Sequence, residues 1–348
     1  MNILITGNMG YVGPGLVKHL RHKFPNAYLA GLDSGYFGKM ITGSTLLPES
    51  YLDVQYFGDV RSLRPNVLAG MDAVICLAAI SNDPIGNKFE QVTLDINAGA
   101  AIELATQAKA AGVKHFVFAS SCSVYGYAED GARKEDSLVA PLTAYAKSKV
   151  AAEEGIKHLA SDDFIITCHR FATACGISDR LRLDLVLNDF VAGAITTRKI
   201  DILSDGTPWR PLINVADMGL AMEWSATRSA ANGGNYLIVN TGSDIWNYQV
   251  RELADAVALK VGNTEVSVNL AAPPDKRSYR VDFELFRALA PNHQPQYSLD
   301  QTIDGLVAGL GAMGFSDGNF RQSELMRLKV VEKLQAEGSV DSQLKVIK

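Results

Sequence analysis

The chain has 348 residues, 47% hydrophobic and 20% charged, which is enough apolar side chain for a substantial core. Its 33 basic and 38 acidic residues give a net charge of −5 with no long run of either sign. That balance disfavours nucleic acid and polybasic membrane contact, while leaving room for a small anionic ligand.

Residues 2–6 read as an apolar strand, with no basic or signal-like segment before it. The turn Thr6-Gly7-Asn8-Met9-Gly10-Tyr11-Val12-Gly13 follows at once, and 13–23 reads as a helix with Pro14 in its first turn. A dinucleotide site needs this setting: one glycine for the tight turn, one for backbone approach to a diphosphate, one for close helix–strand packing. The helix N-terminus then faces the phosphates. Such a glycine run can also be a purely structural turn. Asp33, after a second strand at 27–32, supports the dinucleotide: its carboxylate suits an adenosine ribose and repels a 2′-phosphate, favouring NAD over NADP. Its alternative is a turn cap.

Further strands are expected at 54–57, 73–78, 114–119 and 164–169, with helices after Asp59, at 92–111 and at 143–160. Solid apolar strands alternating with helices predict an α/β fold, a doubly wound parallel sheet of Rossmann type. Asp59 and Val60 would border the adenine, and Leu77, Ala78 and Ala79 would offer small surfaces to the cofactor.

After about residue 171 the rhythm changes. A helix is expected at 182–197, a strand at 199–203, a loop at 208–217, a strand returning to the sheet at 235–240, and helices at 247–259 and 302–313. The segment 319–334, with Leu325, Leu328 and Leu334 among charges, reads as a surface-packing tail. The expected division is an NAD-binding domain over 1–171, rejoined by 211–260, and a smaller C-terminal substrate-binding lobe from 172–210 and 261–348.

Tyr145 and Lys149 share a helix face four residues apart. A phenol near pKa ~10 is a poor base at neutral pH, and a neighbouring ammonium favours its phenolate. The pair suits proton transfer in hydroxyl/ketone interconversion. Alone it is a weak signal, because Tyr-x-x-x-Lys arises readily by chance. The cysteines (Cys76, Cys122, Cys168, Cys175) lack Cys-x-x-Cys spacing and the histidines lack a metal pattern, so a metal-free cytoplasmic protein is expected.

In order along the chain, these motifs resemble the extended short-chain dehydrogenase/reductases, in particular the NAD-dependent nucleotide-sugar epimerase/dehydratase family. The resemblance rests on the glycine turn, Asp33, Gly58-Asp59-Val60-Arg61, Leu77-Ala78-Ala79 and Asn97. It continues through Ala119-Ser-Ser-Cys-Ser-Val-Tyr-Gly126, Tyr145-Ala-Lys-Ser-Lys149 and Trp209-Arg-Pro-Leu-Ile-Asn-Val-Ala-Asp217. It implies that Ser121 hydrogen-bonds the reacting sugar oxygen, that Tyr145 moves the hydroxyl proton, and that Lys149 holds the nicotinamide ribose and depresses the tyrosine pKa. It further implies a structural Asn97, a phosphate-binding Arg210, a nucleotide contact at Asn188, and a homodimer packed through paired helices. Ser123 and Arg277 are further substrate candidates.

Three departures narrow the expectation. Dehydrating relatives carry an acidic pair where this chain has Cys122 and Ser123, which argues against a dehydratase. Some relatives place a catalytic cysteine at the position of Ser123; Cys122 is one residue off and expected to point away. An arginine common near Ala272 is missing, with Arg277 or Arg280 as substitutes, and Thr173 replaces a common asparagine. The resemblance therefore implies a nucleotide-sugar epimerase, at C4 before other carbons. An NAD(H)-dependent sugar dehydrogenase is the alternative, and a non-catalytic NAD-binding protein the remaining one.

Overall fold

β1 (Asn2–Thr6) is buried at every position after Asn2, with Ile3 and Ile5 in one core and Leu4 in another. Alternating side chains thus feed two layers, which is what solid apolar runs in a parallel sheet provide. The computed structural model describes residues 1–272 and 277–347, and of Pro65, Glu129 and Asp130 the backbone alone. Residues 273–276, between Ala272 and the candidate substitute Arg277, lie outside the described residues.

The other strands are β2 (Tyr28–Asp33), β3 (Val54–Phe57), β4 (Ala73–Cys76), β5 (His115–Ser121), β6 (Tyr127–Arg133) and β7 (Ile165–Phe171). They continue as β8 (Thr173–Cys175), β9 (Lys199–Ile202), β10 (Trp209–Asn214), β11 (Tyr236–Thr241), β12 (Asn247–Gln249), β13 (Glu265–Val268) and β14 (Ser278–Val281). Seven form one sheet in the order β11-β7-β5-β4-β1-β2-β3, every neighbouring pair parallel. The order reverses beside β1, the switch point where α/β sheets bind ligands beyond their strand C-termini.

Of the helices, α1 (Gly13–Lys23) starts in the glycine turn, while α2 (Asp83–Lys88) and α3 (Glu90–Leu94) follow β4. The helix expected at 92–111 is interrupted: a π-helical segment, Asp95–Ala100, separates α3 from α4 (Ala101–Ala110). Asn97 lies in that segment. Its Oδ1 accepts from the Ile80 N–H at 2.8 Å and its Nδ2 donates to the Ile80 carbonyl and to Ser148 Oγ. It tethers this helix to the loop after β4 and to α5 (Ala144–Lys157).

The remaining helices are α6 (Val186–Thr196), α7 (Val215–Ser225), α8 (Val250–Val261), α9 (Glu284–Leu289), α10 (Leu299–Ala312) and α11 (Arg327–Ala336). The loop expected at 208–217 is instead β10 leading into α7. β10 pairs with β12 at Trp209–Pro211 and with β8 from Leu212 onward. Pro211 thus falls where pairing changes sides, so its missing N–H does little harm. Asn214 then caps α7, accepting from the Ala216 N–H at 2.9 Å. The expected helix from 247 begins as β12, and α8 follows with a capping box between Gln249 and Glu252.

The 319–334 segment is not a surface tail. Its helix, α11, returns to the dinucleotide-binding layer, where Val331 and Leu344 join the core made by β4, α4 and α5. Among the described residues no helix is long and apolar enough to cross a membrane.

Candidate active site

One cavity of about 890 Å³ runs along the C-terminal ends of the parallel strands. At one end Gly7 has φ +76°, and a Cβ there would stand 2.5 Å from the Ala78 backbone nitrogen. A Cβ at Gly13 would stand 2.0 Å from the Asn8 carbonyl oxygen. Only glycine fits either position, which keeps the turn low and leaves its surface open to a dinucleotide. Gly7, Gly10, Tyr11 and Val12 line the cavity. Asn8, Met9 and Gly13, expected at the cofactor, do not; they build the turn. Asn8 Nδ2 donates to Gln55 Oε1 at 2.6 Å, and the Met9 N–H donates to Asp33 Oδ2 at 3.0 Å.

Asp33 lines the cavity at the end of β2, its other oxygen accepting from the Gly35 N–H at 2.7 Å. Burial raises its pKa, and those two N–H groups oppose the rise. Asp59 and Val60 also border the cavity. The Asp59 carboxylate itself is occupied by Arg61, with Nε contacts of 3.0 Å. Leu77, Ala78 and Ala79 form the wall between the glycine turn and the far end.

At that far end, α5 presents Tyr145 and Lys149. Thr143 Oγ1 caps the helix by accepting from the Ala146 N–H at 3.2 Å. Lys149 is buried, its Nζ donating to the Ala119 carbonyl at 2.7 Å and lying 4.7 Å from the Phe118 ring centroid. Burial brings its pKa down to about 8. Ser121, at the end of β5, shares this wall.

Tyr145 departs from expectation. Burial pushes its pKa up to about 12, opposed by the Ser121 hydroxyl and by the charge of Arg182. The Lys149 ammonium is turned to Ala119 and sits 5.6 Å from the tyrosine ring centroid. Desolvation therefore outweighs the expected depression by lysine.

Cys122 is buried with its thiol on the Arg170 carbonyl, on the core side of the strand end. Burial pushes that thiol well up. Ser123 faces the cavity, and its Oγ is buried without a hydrogen-bond partner among the described residues. Arg210 and Arg277 line the same region, Arg277 bridging to Asp83 at 2.6 Å. Asn188, expected at the nucleotide, is fully buried. Its Oδ1 accepts from the Gly176 N–H at 2.9 Å and its Nδ2 donates to the Arg182 carbonyl at 2.9 Å. It fixes the segment before α6 and does not line the cavity.

Sequence reasoning missed Arg182 and Asp184. They form a buried pair at 2.6 Å, with Arg182 Nη1 donating to Ser81 Oγ and Asn82 Nδ2 to Asp184. All four residues line the cavity. The signal was the alternation Arg180-Leu-Arg-Leu-Asp184, in which Leu181 and Leu183 are fully buried. Among the described residues no cluster of His, Cys, Asp or Glu could hold a metal ion.

A parallel sheet with a glycine turn at its switch point, a cavity-lining aspartate at the end of β2 and a Ser–Tyr–Lys wall define an extended short-chain dehydrogenase/reductase. The sequence profile of the NAD dependent epimerase/dehydratase family matches residues 3–242, and the chain belongs to that family. It is 27% identical to the UDP-glucose 4-epimerase of Mycolicibacterium smegmatis over 314 residues, covering 87% of this chain and 96% of that one. It is 27% identical over 227 residues to the uncharacterized UDP-glucose epimerase YtcB of Bacillus subtilis, covering 62% of this chain and 70% of that one.

Among solved structures, MoeE5 in complex with UDP-glucose and NAD superposes with a TM-score of 0.75 at 24% identity. That match covers 89% of this chain and 99% of the other. The Bacillus cereus UDP-glucuronic acid 4-epimerase, in complex with UDP-glucuronic acid and NAD, gives 0.73 at 21% identity, covering 89% and 99%. The protein is thus an NAD-dependent enzyme of the nucleotide-sugar epimerase/dehydratase kind.

Proposed function

We propose that the protein is a nucleotide-sugar 4-epimerase working through a transient keto-sugar. One observation carries this: Ser121, Tyr145 and Lys149 line a single wall of the cavity, while positions 122 and 123 hold no carboxylate. Hydroxyl oxidation and re-reduction need one proton relay and no additional acid–base pair, whereas dehydration needs one. NAD, held between the glycine turn and this wall, would supply the hydride acceptor and donor that make such a reaction redox-neutral.

Ser121 donates a hydrogen bond to the reacting oxygen. Tyr145, as the phenolate that the positive nicotinamide ring of bound NAD would favour, takes the hydroxyl proton as the ketone forms and gives it back as the alcohol is restored. Lys149, held at the Ala119 carbonyl, orients the nicotinamide ribose. Ser123 offers its unpartnered hydroxyl to the sugar, and Arg210 and Arg277 offer charge to the substrate diphosphate. The 4-epimerase names carried by relatives favour C4.

The four cysteines are free and buried, which suits a reducing cytoplasm. Pairing of two copies through α4 and α5 is the assembly we infer, since Thr106 and Ala151 are exposed there; light scattering checks it.

The deciding experiment offers UDP-, dTDP-, GDP- and CDP-sugars to wild type and Tyr145→Phe, with products followed by NMR and bound NAD quantified. Epimer formed without added cofactor, and lost in Tyr145→Phe with NAD retained, is the expected result. Net reduction dependent on added NADH would instead identify a dehydrogenase. NAD binding with no turnover of any sugar would identify a binding protein.

A further inference from the structure

Arg327, the first residue of α11, is only 3% exposed. Its Nη2 donates to the Arg180 carbonyl at 2.8 Å, and its guanidinium carbon lies 4.2 Å from the Phe37 ring centroid. Its Nη1 has no hydrogen-bond partner among the described residues. A buried guanidinium with an unmade bond and no anion is a costly arrangement.

The neighbouring carboxylates are already engaged. Arg180 holds Glu49 at 2.7 Å and Arg182 holds Asp184 at 2.6 Å. Burial, reinforced by the like charges of Arg182 and Arg180 and opposed by Asp184, brings the Arg327 pKa down to about 9. Among the described residues one positive charge is therefore left without an ion-pair partner of its own at the cavity wall. Its position within the cavity is specific. Phe37 belongs to the loop after Asp33, and Tyr11, in the glycine turn, is close enough to influence the guanidinium.

We propose that Arg327 binds the diphosphate of the dinucleotide, making the C-terminal segment a clasp on the cofactor. Asp33 suits the adenosine ribose and Tyr145 the nicotinamide end, so the stretch over the glycine turn between them takes the phosphates. A guanidinium fork fits phosphate oxygens and forms charge-assisted bonds with them. The rest of the clasp is built to stay closed. Val331 and Leu344 line the cavity, Tyr36 donates to the Leu344 carbonyl, and Arg61 Nη1 donates to the Gln343 carbonyl at 2.7 Å. This assignment rests on the use of NAD and is independent of which sugar is turned over.

The test compares wild type, Arg327→Met and Arg327→Lys, each stripped of co-purified nucleotide. Dissociation constants for NAD, adenosine and UDP are measured by calorimetry, and melting temperatures without ligand. Arg327→Met is expected to weaken NAD roughly 10- to 100-fold, the loss of one charge-assisted bond. Adenosine, which lacks phosphate, and UDP should bind as in wild type. The ligand-free melting temperature should hold or rise, because an unpaired buried charge is gone.

Arg327→Lys keeps the charge but not the fork, so it should lose less NAD affinity; it carries the test if the methionine variant does not fold. An unchanged NAD constant, a parallel loss of adenosine binding, or a selective loss of UDP binding would each overturn the proposal. Because these are binding measurements, a failed epimerase assay leaves their outcome intact.

Discussion

Glu153 and Arg170 form a buried ion pair, 2.7 Å apart, behind the strand end that carries Ser121. Ser120 Oγ donates to the same carboxylate at 2.5 Å, and Arg170 Nη1 donates to the Tyr125 hydroxyl at 3.1 Å. Glu153 is also one turn after Lys149 on α5, so it anchors the helix that presents the lysine. Glu153→Ala would leave a buried guanidinium uncompensated and should cost about 3–5 kcal/mol of stability. Urea unfolding measures this. The double variant with Arg170→Met should recover much of the loss, and no recovery would mean that the pair does not act as a unit.

Gly13→Ala drives a methyl into backbone rather than into a side chain that can rotate away. The glycine turn must shift, so NAD binding should weaken at least tenfold, with stability lowered by about 1–3 kcal/mol. Calorimetric titration with NAD checks the first number and thermal melting the second. Wild-type affinity in this variant would remove the turn from the cofactor site.

Lys149→Met should abolish turnover without destabilising the ligand-free chain at neutral pH. The folded pKa, lowered to about 8 by burial, lies below the ordinary 10.5, so the folded state disfavours the charged lysine. Between those values the unfolded lysine keeps its proton and the folded one has lost it. Wild type should then gain stability with rising pH, approaching ~1.4 kcal/mol per unit, relative to the variant. Unfolding curves at pH 8, 9 and 10 read the difference; parallel curves would contradict it.

His169 is fully buried, its Nδ1 at 2.7 Å from Thr241 Oγ1 and its Nε2 bonded to the Ser225 hydroxyl. Burial, with Arg228 nearby, lowers its pKa from 6.5 to about 3. The unfolded state takes up a proton near pH 6.5 and the folded state resists until about 3, so stability falls on acidification across that window. The slope attributable to this residue approaches ~1.4 kcal/mol per pH unit. Comparing wild type with His169→Gln between pH 7 and 4.5 isolates it, and equal slopes would show the imidazole to be protonated in the fold.

The parallel layer was legible in the sequence. The strand at 2–6 and the helix at 13–23 occur where composition places them, because a strand covered on both faces, as β1 is at Ile3, Leu4 and Ile5, must be apolar on both. The wall of Ser121, Tyr145 and Lys149 was legible through spacing and resemblance together. What escaped depends on partners distant in the chain. The pairing of β6 with β14 joins segments that share no local pattern. Asn188 looks like any polar residue on a helix until Gly176 and Arg182 enclose it. Arg327 reads as a surface charge, since nothing in its own helix reveals that Phe37 and Arg180 will cover it. The Tyr145 pKa escaped for the same reason, being set by burial more than by the lysine one turn away.

The cleft begins at the glycine turn and is completed by α11, about 300 residues further along the chain. A nascent chain on the ribosome can fold its early strands, yet it lacks the last wall until α11 has emerged. The wall that closes this cleft is thus tied to the folding of a segment remote in sequence from the turn it faces.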